Sequence, residues 1–254
     1  MIFFESHAHY DDRRFDDDRD AILAAMPRNN VARVINVGAD MASSYASIKL
    51  AEKYPFVYAA VGVHPHDACT LTEEKLAELK SLCTHPKVVA IGETGLDFHY
   101  DHSPRDVQRY WFEKQLILAY EVNLPVIIHS RDAAQETFDI IKKSPVRRGV
   151  IHSYSGSVPM AKDYIAMGFL LGIGGVITFD KTKRLPEVAA AVPLSSILIE
   201  TDAPYLTPKP HRGKRNESPY LIYIVQAIAG IKNISPETVA AQTYVNACAL
   251  FGMD

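Results

Sequence analysis

The feature that most constrains this chain is a regular alternation between short apolar runs and longer segments of helical periodicity. Eight apolar runs predict strands, at residues 2–5, 31–37, 57–63, 88–91, 125–129, 150–152, 169–173 and 197–201. Helical patterns lie between and after them, at residues 18–26, 43–54, 72–83, 105–121, 133–143, 158–167, 185–191, 219–229 and 236–250. Strands that alternate with helices build βαβ units, and such units form a parallel sheet.

The composition of the strand candidates narrows the choice of parallel fold. Runs such as PVIIH and SSILIE are apolar throughout, which is typical of strands buried on both faces. Eight strand–helix units in 254 residues match the count and size of a (β/α)8 barrel. We therefore expect one α/β TIM barrel domain spanning residues 1–254. A doubly wound open sheet is the alternative, and its dinucleotide-binding form is disfavoured because no GxGxxG motif follows the first strand.

Charge and cysteine content limit the classes of partner. The net charge of −3 gives no global attraction to nucleic acid or anionic membranes, so a polyanionic substrate would need metal ions or a local basic patch. Cys69, Cys83 and Cys248 form no CxxC pair, which argues against a disulfide framework and a cysteine zinc site. A cytoplasmic location is expected. We see no signal-peptide pattern, no membrane-length apolar run and no indication of an obligate protein partner.

Ionisable side chains recur where the predicted strands end. They are His7, His9, His64, His66, Glu93, His129, His152, Glu200 and Asp202. A lone histidine or carboxylate at such a position is usually a satisfied polar group or a helix cap. Six of the ten histidines fall there, however, and in a barrel all these strand ends meet at the mouth that holds active sites. Burying so many imidazoles and carboxylates together is costly without a shared partner, so we expect a metal centre.

The first two histidines illustrate the expected geometry. His7 and His9 are two residues apart, so in an extended segment their side chains project from the same side. Two imidazole nitrogens could then reach one ion. An HxH pair alone is a weak indication, and it becomes strong only in combination with the carboxylate and histidines at the later strand ends.

Six ordered segments resemble motifs of the TatD-like metal-dependent hydrolases of the amidohydrolase superfamily. They are SHAHYDDRRF, AAVGVHPHDA, VVAIGETGLDFHYD, LPVIIHSRDA, GVIHSYSG and ILIETDAPYLTP with PHRGKRNESPY, which together span most of the chain. The resemblance implies two divalent ions, one held by His7, His9, Glu93 and Asp202, the other by Glu93, His129 and His152. Glu93 would bridge them, in place of the carboxylated lysine of other amidohydrolases. The metal is left open among Zn, Mn, Mg, Co and Ni.

The resemblance also suggests roles in catalysis. Paired ions lower the pKa of water, and Asp202 would act as both ligand and general base, with pure ligation as the alternative. Glu93 is the other residue expected to be catalytic. Glu200 would orient a ligand or the water, while His64 would bind a phosphate, donate a proton or serve the structure. His66 is expected to support the site or the fold.

Substrate contacts are predicted from two further groups of residues. A basic loop at residues 207–217 would overhang the barrel mouth and meet a phosphate backbone, together with Arg131. Its cations are Lys209, Arg212, Lys214 and Arg215. Aromatic rings that follow strands could stack on bases or pack at the rim, and these are Phe98, Tyr100, Tyr154 and Tyr205.

Three functions are compatible with these residues. The first is a deoxyribonuclease that trims single-stranded DNA from the 3′ end, which the resemblance favours. The second is a D-aminoacyl-tRNA deacylase that hydrolyses an ester at the same two-metal site. The third is a binding scaffold without activity, and the complete set of ligand residues argues against it.

Overall fold

The computed structural model describes residues 1–253, and eight parallel strands form its single sheet. The strands are β1 (Phe3–Ala8), β2 (Val31–Val37), β3 (Val57–Val61), β4 (Val88–Asp97), β5 (Val126–Arg131), β6 (Gly149–Ile151), β7 (Phe169–Ile173) and β8 (Ile197–Ile199). Their order in the sheet equals their order in the chain, and neighbours pair in parallel. This arrangement confirms the predicted (β/α)8 barrel. Asp254, the end of the predicted domain, lies outside the described residues.

The helices surround this sheet. They are α1 (Arg19–Ala25), α2 (Met41–Lys53), α3 (Glu73–Leu82), α4 (Arg105–Glu121), α5 (Ala134–Lys143), α6 (Val158–Ala166), α7 (Arg184–Ala191), α8 (Leu221–Lys232) and α9 (Pro236–Phe251). Among residues 1–253, no helix has the length and apolarity needed to cross a membrane.

The inside of the barrel is closed at one end and open at the other. Inward-facing residues such as Phe4 and Ile35 pack in one cluster with Leu250 and Phe251 from the end of α9. The C-terminal helix therefore covers the end of the barrel where the strands begin. The opposite end, where the strands finish, is left for the polar residues of the site.

Side chains close the barrel between β1 and β8, where the only backbone pairing is an isolated bridge between Ala8 and Ala203 in the described chain. Glu5 Oε1 accepts hydrogen bonds from the backbone N–H groups of Thr201 at 2.8 Å and His7 at 3.2 Å, and Glu5 Oε2 accepts from Thr201 Oγ1 at 2.6 Å. Ser6 Oγ donates to the Ile199 carbonyl at 3.0 Å. The buried carboxyl group of Glu5, whose pKa burial raises to about 8, and the Ser6 hydroxyl thus replace part of the missing strand pairing.

Three strands are longer than predicted, and all carry site residues; one of them, β5, continues past His129 to Arg131. β1 continues to Ala8, so His7 lies within the strand, and β4 continues to Asp97, so Glu93 lies in its middle. The prediction that Glu93 follows the fourth strand was wrong, because the apolar run ends at residue 91 whereas the strand continues through GETGLD. Gly95 has φ +149°, and a Cβ there would collide with the His129 carbonyl oxygen of β5. Glycine at this position allows the two strands to stay paired.

Candidate metal centre

Six predicted ligands converge at the open mouth of the barrel. They are His7 and His9 from β1 and the residue after it, Glu93 from β4, His129 from β5, His152 after β6 and Asp202 after β8. Their side chains are between 1% and 17% exposed. Residues far apart in sequence are therefore adjacent and largely shielded from water, as the strand-end argument predicts.

Glu93 lies at the centre of this group and faces it in two directions. Its Oε2 is 3.4 Å from His7 Nε2 and 3.7 Å from His9 Nε2. Its Oε1 is 2.7 Å from His129 Nδ1 and 3.6 Å from His64 Nε2. We call His7, His9 and Asp202 the first half of the centre and His64 and His129 the second half. One carboxylate thus presents one oxygen to each half.

The distances within the first half suit a shared ion. His7 Nε2 and His9 Nε2 are 3.1 Å apart, and Asp202 Oδ1 is 3.8 Å from the former and 3.5 Å from the latter. Four ligands at about 2.0–2.1 Å from a tetrahedral ion would lie about 3.3 Å from one another. In the metal-free protein a proton can lie between these two nitrogens, and a metal ion would take its place. The residues of the first half therefore fit a divalent metal.

A hydrogen bond orients the imidazole of His9 in the first half, and the Glu200 carboxyl group lies beside the ring of His152. His9 Nδ1 lies 2.8 Å from the Val37 carbonyl oxygen, which only accepts, so Nδ1 carries the proton and Nε2 is free to bind. His152 Nδ1 lies 3.0 Å from Glu200 Oε1, although not in the alignment of a hydrogen bond. Its Nε2 lies between the halves, 3.8 Å from Asp202 Oδ1 and 3.9 Å from Glu93 Oε1.

Asp97 fixes His129, the principal imidazole of the second half. Asp97 Oδ2 is 3.1 Å from His129 Nε2 and 2.9 Å from His66 Nε2. A carboxylate accepts hydrogen bonds, so His129 carries a proton on Nε2 and directs Nδ1 at Glu93 Oε1. If the His129 ring is neutral, the lone pairs of its Nδ1 and of Glu93 Oε1 face each other at 2.7 Å. A cation beside these two atoms would remove the repulsion between them.

His64 is oriented as a donor rather than as a ligand. Its Nδ1 accepts a hydrogen bond from the backbone N–H of His66 at 3.1 Å. Burial and the neighbouring His129 hold the pKa of His64 well below its ordinary value, so the ring is neutral and its single proton lies on Nε2. That N–H points into the centre near Glu93, where it can donate to an oxygen of a bound substrate.

The carboxylates and imidazoles of the centre shift one another's pKa values. Burial opposes ionisation of Glu93, but the imidazoles around it, the protonated His152 among them, outweigh burial and hold its pKa well below the ordinary value. Burial lowers the pKa of His9, yet Asp202 and Glu93 raise it to about 9. Burial likewise opposes the charge on His152, whose pKa the carboxylates of Glu200, Glu93 and Asp202 raise to about 10. Without metal, the centre therefore holds protons where cations would bind.

Comparison with known proteins places the chain in a family. The profile of the family described as TatD related DNase matches residues 4–252. The chain belongs to this family. It is 42% identical to the uncharacterised metal-dependent hydrolase YabD of Bacillus subtilis, over 98% of this chain and 99% of that protein. It is 34% identical to the 3'-5' ssDNA/RNA exonuclease TatD of Erwinia tasmaniensis, over 94% of this chain and 96% of that protein.

Solved structures agree with this membership. The crystal structure of YjjV, a TatD homologue from Escherichia coli, superposes with a TM-score of 0.93 at 30% identity, covering 99% of this chain and 98% of that chain. The predicted TatD-like resemblance and its barrel are thereby confirmed. As a TatD family member, the chain is a metal-dependent hydrolase.

The outer residues predicted for this TatD family member occupy different environments. Glu200 is buried beside His152, and Gly172 of β7 leaves room for its carboxylate. The Arg131 guanidinium lies over the Tyr100 ring, 4.7 Å from its centroid. The Arg212 guanidinium lies 4.0 Å from the centroid of Phe179.

Two of the predicted substrate contacts are engaged elsewhere. Arg215 pairs with Asp18 at 2.6 Å and Glu217 at 3.2 Å, so its charge is already matched by carboxylates. Tyr154 is 3% exposed and donates its hydroxyl to the Ser157 carbonyl, so its ring is not available for stacking on a base at the mouth. Tyr100 and Tyr205 remain exposed.

Two polar residues of the site were not anticipated from the sequence. Asp97 supports His129, and Glu5 links β1 to β8 beneath His7. Asp97 belongs to the GETGLD segment, and a fourth strand drawn through that segment would have placed Asp97 at the barrel mouth. Glu5 is a charged residue in an apolar run, which is itself a sign of a buried polar role.

Proposed function

We propose that this TatD family member is a two-metal phosphodiesterase that removes nucleotides from the 3′ end of single-stranded nucleic acid, DNA in particular. The observation that carries the proposal is the division of the two Glu93 oxygens between the two halves of the centre. A single ion would bind the ligands of only one half. The buried imidazole nitrogens of the other half would then face the Glu93 carboxylate with no cation to bind them. The name of the Erwinia tasmaniensis relative supports the choice of substrate and of the 3′ end.

Each ion would have its own ligands. His7, His9, Glu93 and Asp202 would hold the first, while Glu93, His129 and His152 would hold the second. When bound, two divalent ions lower the pKa of water and stabilise the charge that develops on a phosphoryl oxygen. Imidazole with carboxylate suits Zn, Mn, Co or Ni and does not exclude Mg.

The chain's own groups would manage the protons. The Asp202 side chain is 15% exposed, so a water can reach it, and the low pKa that His152 and His9 maintain against burial keeps it ionised and able to accept a proton. His64 would donate a hydrogen bond from its Nε2–H to a phosphate oxygen or to the leaving oxygen. Glu200 would hold His152 in place through its approach to Nδ1.

Labelled oligonucleotides test the proposal. Metal-loaded protein should convert a 5′-labelled single strand into a ladder of shorter products and release a labelled mononucleotide at once from a 3′-labelled strand. A matched RNA and a D-aminoacyl-tRNA form parallel reactions. Release of the aminoacyl group alone would instead favour the deacylase, and no consumption of any substrate by fully metal-loaded protein would overturn the proposal.

A single variant separates the two roles of Asp202. Asp202→Asn keeps an oxygen ligand but removes the base, so we expect a loss of at least about 100-fold in kcat with both ions retained. Loss of an ion in step with activity would show that Asp202 is a ligand only.

A further inference from the structure

Two loops that are distant in sequence form one surface at the barrel mouth. The loop after β7 leads through residues 174–183 to α7, and the loop after β8 spans residues 200–217. Lys209 donates its backbone N–H to Thr178 Oγ1 at 3.0 Å, and the Lys209 ammonium pairs with Asp180. Arg212 covers the Phe179 ring. These contacts fix the two loops against each other.

This surface carries a group of exposed cations, which we call the basic ridge. Its members are Lys181, Lys183, Arg184, Arg212 and Lys214. None of the five forms an ion pair with a carboxylate within residues 1–253. Glu187, one turn into α7, is the nearby acidic residue on the same segment, and Asp180 is already paired with Lys209. Positive charge therefore predominates on this surface of a chain whose net charge is −3.

Several cations elsewhere, on α4 and at the barrel mouth, are matched by carboxylates. On α4, Arg105 pairs with Asp101, Arg109 with Glu136, and Lys114 with Glu73. At the mouth itself, Arg215 pairs with Asp18 and Glu217. Unpaired cations also occur elsewhere, but the basic ridge gathers five of them on two adjoining loops at the mouth, where their charge is left for a partner. Both loops leave the ends of strands, on the same side of the barrel as Asp202.

We propose that the basic ridge binds the phosphate backbone of the nucleic-acid strand whose 3′ end occupies the metal centre. This inference rests on the proposed function and adds the path of the strand, away from the centre across the loops after β7 and β8. Flexible lysines contact phosphates without contacting base edges. Binding at the ridge would therefore depend on the length and charge of the strand rather than on its base sequence.

Salt dependence provides the sharpest test. For a single strand, each phosphate neutralised by a cation contributes about 0.7 to the slope of log affinity against log salt. The Lys181→Glu/Lys183→Glu variant should therefore lower this slope by about 1.4 for a strand of about 20 nucleotides. We expect KM for that strand to rise by at least about fivefold at low salt, with kcat unchanged, and the kinetics of a dinucleotide to stay as in the parent. Arg212→Glu/Lys214→Glu should act in the same direction.

A matched control is available at the opposite end of the barrel. Lys142 and Lys143 are adjacent, exposed lysines in the last turn of α5. Lys142→Glu/Lys143→Glu makes the same change in net charge, so it should leave KM and its salt slope close to those of the parent protein. If the ridge and control variants behaved alike, the ridge would not be the binding surface.

Binding without cleavage separates this inference from the proposed function. Fluorescence anisotropy of a labelled strand of about 20 phosphorothioate linkages measures the affinity of metal-loaded protein directly. Weaker binding by the ridge variants, together with no nucleolytic activity in the parent, would retain the ridge and reject the nuclease. Active parent protein whose affinity is unchanged in the ridge variants would retain the nuclease and reject the ridge.

Discussion

The first half of the metal centre is positioned by backbone, whereas the second half depends on a side chain. His7 and Asp202 are tied together because the Asp202 N–H donates to the His7 carbonyl at 3.0 Å, and the His9 N–H donates to the Ala203 carbonyl at 2.8 Å. His129 instead receives its orientation from the Asp97 carboxylate at 3.1 Å. The two halves share Glu93, so their ligands are coupled. The groups that hold those ligands in place, the backbone on one side and Asp97 on the other, are separate.

Because the halves share Glu93 but not their supports, some changes should affect both ions and others only one. A residue that contacts both halves cannot be altered without loss of the whole centre. A supporting residue on one side should weaken one ion and spare the other, because supports that share no contacts act nearly independently.

The largest effect is expected at Glu93, the residue that the halves have in common. Glu93→Gln keeps the size of the side chain but removes the charge that faces His7 and His129. Because the ions stabilise the transition state by several kcal/mol, we expect activity to fall by at least about a thousandfold and metal content to fall at both sites. Metal analysis with kinetics checks this, and Glu136→Gln, at a half-buried carboxylate of α5 that pairs with Arg109, is the control. Two ions bound at parental affinity would contradict the bridging role.

A smaller and one-sided effect is expected at Asp97. This fully buried carboxylate accepts hydrogen bonds from His129 and His66 on Oδ2 and from the backbone N–H groups of His99 and Tyr100 on Oδ1. In Asp97→Asn, the amide must direct its own N–H groups at one of these pairs of donors. His129 then loses its fixed orientation, and a change in such a support weakens metal binding by about 10–100-fold.

Titration with Zn or Co distinguishes the sites in the Asp97 variant. One ion should bind as in the parent and the other more weakly, and Asp97→Glu should restore part of the lost affinity. Asp132→Asn, at the exposed carboxylate beside His99, is the matched control. Equal weakening of both ions would mean that Asp97 supports the fold rather than the second half.

The metal ligands could be predicted from the sequence, whereas a side chain that holds one of them in place, Asp97, could not. Strand–helix alternation determines the barrel because βαβ chirality and buried strands leave few other arrangements. The ligands could be located because a barrel gathers strand ends at one mouth. Asp97 was missed because a glycine-rich segment signals a break, whereas here it continues β4 beside β5. The pairing of Arg215 with Asp18 depends on how two loops meet, and local sequence does not encode that.

Protonation of the ligand imidazoles should make metal binding at both halves depend on pH. In the metal-free protein, burial is overcome by carboxylates that raise the pKa of His9 to about 9 and of His152 to about 10. At neutral pH both rings are therefore protonated, and metal must displace those protons. Affinity should rise with pH, up to about pH 9 for the ion held by His9 and up to about pH 10 for the ion held by His152, by about tenfold per pH unit for each proton released. Calorimetry in buffers of different ionisation enthalpy counts these protons, and pH-independent affinity would contradict the prediction.

The smallest expected effect on catalysis is at Glu5, the support of the first half. Glu5→Ala leaves the buried N–H groups of His7 and Thr201 without an acceptor, so the free energy of unfolding should fall by about 1–3 kcal/mol. Because the backbone bonds between His7, His9 and the β8 loop remain, metal-saturated activity should change little, while the first ion should bind more weakly. Thr201→Ser, which keeps the hydroxyl on Glu5 Oε2, is the control, and denaturant unfolding with and without metal supplies the measurement. If Glu5→Ala instead weakened the second ion, support would pass across the barrel, and the two halves would not be independent.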